Sequence, residues 1–182
     1  TVTTDALLGQ LKTGTFDASN TVTLKVTDAD LVSAIKLAKK LAEGGIDQLK
    51  AASGTLKLSI ADATTLINEG ITFSGGGFQI TANLDGGMSL ESARTLVIKG
   101  GLKLPLQADG KPAAINTEGR AITATEALKL INAGGSFPEI NGRKPPPVLV
   151  EAADLLGNAD TVSAKLMSLS SYNLQYVFAA DG

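Results

Sequence analysis

Residues 54–101 read GTLKLSIADATTLINEGITFSGGGFQITANLDGGMSLESARTLVIKGG, and they carry one local plan twice. A short alternating apolar run leads to a serine, then to a small helix rich in Ala and Leu, then to glycine. Another short apolar run follows. Leu56 to Ile60 alternates as a strand does, and Ser59-x-x-Asp62 is the signature of a helix start. Gly70 ends that helix, because glycine accepts the left-handed backbone of a helix terminus. Ile71-Thr72-Phe73 reads as the next strand. Gly75-Gly76-Gly77 is a turn leading into Phe78 to Thr81, and Asp85-Gly86-Gly87 turns again. Ser89 caps a second helix that stops at Gly100-Gly101.

The plan recurs on both sides. Upstream, Thr21 to Val26 alternates and is rich in β-branched residues. Thr27-x-x-Asp30 then opens the longest predicted helix, to about Glu43. Leu31, Ala34, Ile35, Ala38, Leu41 and Ala42 give it one apolar face. Gly44-Gly45 stops it, and Ile46 to Leu49 is a short extended segment. Thr1 to Phe16 reads as a shortened copy. Downstream, Leu102-Lys103-Leu104 is extended and Gln107 to Gly119 reads as a polar surface loop. Thr123-x-x-Glu126 is a full capping box opening a helix that ends at Gly134-Gly135. The caps Thr27, Ser59, Ser89 and Thr123 are spaced by 32, 30 and 34 residues. A period of that size marks repeat architectures, in which each unit buries its apolar face only against a neighbour. The expected fold is therefore an α/β repeat of short strands and short capped helices, stacked as a solenoid, with a compact mixed α/β domain as the alternative. Residues 1–143 form the expected repeat region. Residues 144–182 form a proline-led linker and a closing strand, since Pro145-Pro146-Pro147 favours polyproline II.

Composition bounds the chemistry. The 182 residues are 43% hydrophobic and 19% charged, a globular balance. Aromatics are only 4%, so the core is built from Leu, Ile, Val and Ala. The net charge is −2, with no basic tract, which argues against nucleic-acid binding. Neither Cys nor His occurs, which removes disulfides, thiolate metal sites and the commonest general base. No apolar run reaches 18 residues, so no membrane span is expected. A start at Thr1 without Met is expected of a processed product or a fragment.

Gly45-Ile46-Asp47-Gln48-Leu49 and Leu56-Lys57-Leu58-Ser59-Ile60-Ala61-Asp62-Ala63 resemble the degenerate repeats of large bacterial secreted or cell-surface, adhesin-like proteins. Some of those are exported by the one-step type I route. Their repeats alternate G-(I/V)-D-x-(I/L) with L-x-L-(S/T)-(V/I)-A-x-A-x-x-L. The resemblance covers about Val22 to Phe137 and departs at the proline run and in the tail. It implies an extracellular or cell-surface repeat module and no ligand site. The calcium-binding Gly/Asp nonapeptides often attached to such proteins are absent, so calcium has no motif behind it and no cofactor is expected.

Asp30, Asp62, Glu91 and Glu126 recur near helix starts, where capping and the helix dipole account for them better than a ladder of cation ligands does. Gly75-Gly76-Gly77 lacks the Gly-Lys-Ser/Thr of a phosphate loop and is a turn. Ser33 with Lys36, and Ser163 with Lys165, are the candidate Ser–Lys dyads; the first are i,i+3 neighbours on a helix, and no nucleophile elbow exists. A non-enzymatic structural or self-assembling module is expected, with a glycan- or protein-binding adhesion module as the alternative. Its candidate partner contacts are the tail aromatics Tyr172, Tyr176 and Phe178 and the loop cations Lys111 and Arg143.

Overall fold

The computed structural model describes residues 20–82, 87–140, 142, 144–156 and 158–176. The predicted copy at Thr1 to Phe16 lies outside these residues, as do Asn83 to Gly86, Asn141, Arg143 and Phe178. The chain is a mixed α/β protein in which short parallel strands form small sheets. It divides into two compact units, Thr1–Ala82 with Thr95–Pro105, and Asn83–Arg94 with Leu106–Gly182.

The first unit begins with β1 (Thr23–Val26), whose Leu24 and Val26 are buried and whose Thr23 and Lys25 are exposed. Thr27 caps α1 (Asp28–Lys36). Its hydroxyl accepts from the Asp30 N–H, and the Asp30 carboxylate accepts from the Thr27 N–H. The predicted single helix to Glu43 is interrupted at Leu37, where φ −111° and ψ 15° depart from helical values, and α2 (Ala38–Glu43) continues it. β2 (Gln48–Ala51) then pairs with β1, and β4 (Thr72–Phe73) pairs with β2, giving the order β1-β2-β4. Between them lie β3 (Leu56–Ser59) and α3 (Ile60–Asn68), and β3 pairs with β5 (Phe78–Thr81). Each parallel pair has a helix in the connection, as parallel pairing requires a long crossover.

The second unit holds β6 (Met88–Ser89), α4 (Leu90–Arg94), β7 (Ala113–Asn116), β8 (Ile122–Thr123), α5 (Ala124–Asn132), β9 (Gly135–Ser136), β10 (Pro147–Val150), α6 (Ala152–Leu155), α7 (Ala159–Ser168) and β11 (Asn173–Tyr176). Its sheets have the orders β6-β7-β9 and β11-β10-β8, again parallel throughout. Two segments differ from expectation. The predicted loop Gln107 to Gly119 contains β7, the central strand of its sheet, with Ala113 and Ile115 buried. Ala and Asn are weak strand formers, so the alternation of AAIN is masked until two neighbours pair with it. The proline run leads straight into β10, also a central strand. Pro147 is its first residue, a strand position that a missing N–H tolerates.

Several helix starts and stops share one scheme. Ser59, Ser89 and Thr123 each accept the backbone N–H three residues on, with N···O distances of 3.0, 3.1 and 3.2 Å. At the other end of α3, Gly70 has φ 90° and donates to Ile67 O, while Ile71 donates to Leu66 O. The pattern repeats at Gly45, with Ile46 donating to Leu41 O. These are Schellman closures, and the apolar pairs Ile46–Leu41 and Ile71–Leu66 are buried beneath them. Ser59→Ala is expected to cost about 1 kcal/mol in a chemical denaturation series, with Ser59→Gly costing less. No difference between Ser59→Ala and the parent would show that the cap contributes nothing.

One helix departs from the scheme in an instructive way. Ser59 to Gly70 and Thr123 to Gly134 both span eleven positions, cap to left-handed glycine. Gly100 sits at that distance from Ser89, but the left-handed glycine is Gly101. Thr95–Lys99 forms a π-helix, with Gly100 donating to Thr95 O and Leu102 to Leu96 O. The wider turn absorbs the extra residue. Gly100 is buried, and a Cβ there would lie 2.4 Å from Ile67 Cδ1 and 2.8 Å from Leu96 O.

Candidate functional site

In the second unit, a buried ion pair and a ring pair both draw on the segment between β10 and β11. β11 is held against β10 by a four-residue register, Pro147 opposite Asn173 through Val150 opposite Tyr176. The crossover between them is α7, capped by Asn158, whose side chain accepts from the Thr161 N–H at 2.9 Å. Leu169 closes the crossover and is fully buried. Tyr172 leads into β11, with its ring edge-on to Phe137 at a centroid distance of 5.6 Å.

A buried carboxylate pins this crossover. Asp154 of α6 has only 4% of its side chain exposed, and Lys165 of α7 has 24%. Lys165 Nζ lies 2.5 Å from Asp154 Oδ1, and Thr125 Oγ1 of α5 donates to the same oxygen at 2.6 Å. The Glu151 N–H donates to Asp154 Oδ2 at 3.0 Å, and Lys165 Nζ also reaches Thr125 Oγ1 at 3.2 Å. Burial pushes the Asp154 carboxyl up, but the bonds from Lys165, Thr125 and Glu151 together outweigh it and hold the carboxyl below its ordinary value. The Lys165 ammonium is thus engaged with Asp154 and Thr125. The arrangement ties three helices together, two of them in the crossover between β10 and β11.

The carboxylates at helix starts act on their own backbones and neighbours. Asp62 accepts from Ser59 Oγ at 2.7 Å and Asp30 from Thr27 Oγ1 at 2.7 Å. Glu126 differs from expectation. Only half of the predicted capping box forms, because its carboxylate receives the fork of Arg94, with Nη2 to Oε2 at 3.0 Å. A bidentate guanidinium pair is stronger than a return bond to one N–H. Among the described residues, no group of three or more acidic side chains is placed to hold a metal ion.

The candidate partner contacts fare differently. Lys111 is exposed, but its ammonium is paired with Asp109 at 2.5 Å inside a closed turn, where Gln107 Nε2 also donates to Pro112 O. Tyr172 is half-buried by the packing already described. The backbone of Tyr176 pairs opposite Val150. Arg143 and Phe178 fall outside the described residues.

A shallow cleft lies between the β7–β8 turn and Pro138, Ile140 and Lys144, with a free volume of about 10 Å³, room for about one water. Its wall is a tight turn in which Glu118 (φ 55°) and Gly119 (φ 79°) both take left-handed backbone and Arg120 donates to Thr117 O. Asn116 Oδ1 accepts from Glu118 N and steadies the turn.

No family model and no curated protein matches the chain. The site therefore rests on its own geometry. The sequence led us to expect a closing strand in the tail but not its support. The spacing Glu151-x-x-Asp154, like that of the other helix starts, was the available signal for Asp154. Nothing local marks Thr125 or Lys165, which lie 29 and 11 positions away from it.

Proposed function

We propose that this chain is a structural, self-associating module of a secreted or surface-associated bacterial protein, and that β11 is its docking edge. One observation carries the reading. Among the described residues β11 pairs on one side only, with β10, and the segment leading into it carries the Asp154–Lys165–Thr125 pin and the Phe137–Tyr172 contact. An open strand edge presents unpaired N–H and C=O groups to another chain. Among the described residues every strand pair is parallel, so a strand from a second copy, added in parallel to β11, would continue the pairing already in use. The repeated cap-to-glycine plan supports a solenoid-like α/β stack as the architecture being extended. The secreted or surface location follows from the resemblance of residues 45–63 to exported repeats.

A head-to-tail contact of this kind builds rings or open filaments rather than two-fold dimers. Gln175 is exposed in the middle of β11. Gln175→Lys is expected to return the protein to monomer at concentrations where the parent associates, because an edge lysine opposes strand addition. Light scattering coupled to size-exclusion chromatography reads this directly. An unchanged mass for Gln175→Lys beside an associating parent would move the contact elsewhere.

A further inference from the structure

The outward face of the β1-β2-β4 sheet carries two rows of polar side chains. β1 and β2 lie in register, with Thr23 opposite Gln48, Leu24 opposite Leu49 and Lys25 opposite Lys50. Leu24 and Leu49 enter the core, so the alternate residues face out. The first row is Thr23, Gln48 and Thr72, with Thr23 Oγ1 donating to Gln48 Oε1 at 3.3 Å. The second row is Lys25 and Lys50, both exposed. Adjacent strands place these two cations about 5 Å apart at the backbone. Among the described residues neither forms an ion pair.

Like charges directly opposite one another destabilise a strand pair. Lysine on an edge strand is ordinarily a guard against pairing, and that accounts for Lys25 on β1. It does not account for Lys50, because β2 is the central strand. Past Lys50 in the same row, Ser74 Oγ is buried and has no hydrogen-bond partner among the described residues. Lys103, between buried Leu102 and Leu104, repeats the alternation within the same unit.

We infer that this face binds a linear carboxylated polysaccharide, a uronate chain laid across the strands. Its carboxylates meet the lysine row, and its hydroxyls meet the hydroxyl and amide row beside it, about 7 Å away along the strands. Single-stranded nucleic acid fits less well, because its bases need aromatic platforms and the outward positions of β1, β2 and β4 hold none. The inference is independent of self-association, and it is tested on the Gln175→Lys variant so that polymer growth cannot mimic binding.

The test titrates short polygalacturonate oligomers into the protein by calorimetry at low salt. Dextran serves as the neutral chain and oligothymidylate as the nucleic-acid polyanion. Polygalacturonate is expected to bind and to weaken as salt is raised, since the contacts are exposed charges. Lys25→Gln with Lys50→Gln is expected to weaken it about tenfold, two exposed ion contacts being lost. Lys129→Gln, on an exposed position of α5, is expected to leave binding unchanged. Absence of polygalacturonate binding overturns the inference. So does equal affinity in the doubly substituted protein with an unaltered circular dichroism spectrum, or oligothymidylate binding as tightly as polygalacturonate.

Discussion

Gly100→Ala is expected to destabilise the first unit by about 2–3 kcal/mol, a large loss for removing no contact. The added methyl would sit 2.4 Å from Ile67 Cδ1 and 2.8 Å from Leu96 O. The side-chain tip can rotate away, but Ile67 is only 6% exposed and has little room. The carbonyl can move only by reshaping the π-helical turn. Gly76→Ala is the matched control, because no atom lies within 4 Å of a Cβ there. It is expected to change stability by less than about 0.5 kcal/mol. Urea denaturation of both variants reads the difference. Equal midpoints would mean that the π-helical turn yields freely and that Gly100 is not held by packing.

Lys165→Met should cost about 2–3 kcal/mol and should also change how the protein responds to acid. The methionine keeps the apolar stem, so the loss reports the charge. It leaves Asp154 buried with only Thr125 and the Glu151 N–H for partners. In the parent, Asp154 has its folded pKa held below the unfolded value of about 3.9. Its contribution is therefore fully present above about pH 4 and is lost as pH falls through the depressed folded value. Stability measured from pH 7 downward should fall more steeply in the parent than in Lys165→Met, and the two should converge in acid. Parallel curves would show that the ion pair is not what holds α6 and α7 to α5.

Local signals in the sequence were read well where one element carries the whole message. Ser59, Ser89 and Thr123 cap because the hydroxyl and the N–H it accepts are three residues apart. Gly45 and Gly70 terminate because their own backbone angles demand it. Legibility failed where a neighbour decides. Ala113–Asn116 looks like loop in isolation and becomes a central strand only between β6 and β9. Glu126 has the right spacing for a capping box, yet Arg94, 32 positions away, takes its carboxylate. The one-residue excess between Ser89 and Gly101 was visible, but not that a π-turn would absorb it. The Asp154–Lys165–Thr125 pin draws on three helices, and only its Asp154 member carries a spacing signal in the chain.

The central claim is that the protein associates through an open parallel edge, without a metal to bridge the copies. The most direct measurement is its mass by light scattering coupled to size-exclusion chromatography over a wide concentration range, in calcium and in chelator. Mass that grows with concentration, equally in both buffers, is the result this account predicts. A constant monomer mass at every concentration contradicts it, and growth only in calcium would replace the strand edge with a cation as the link.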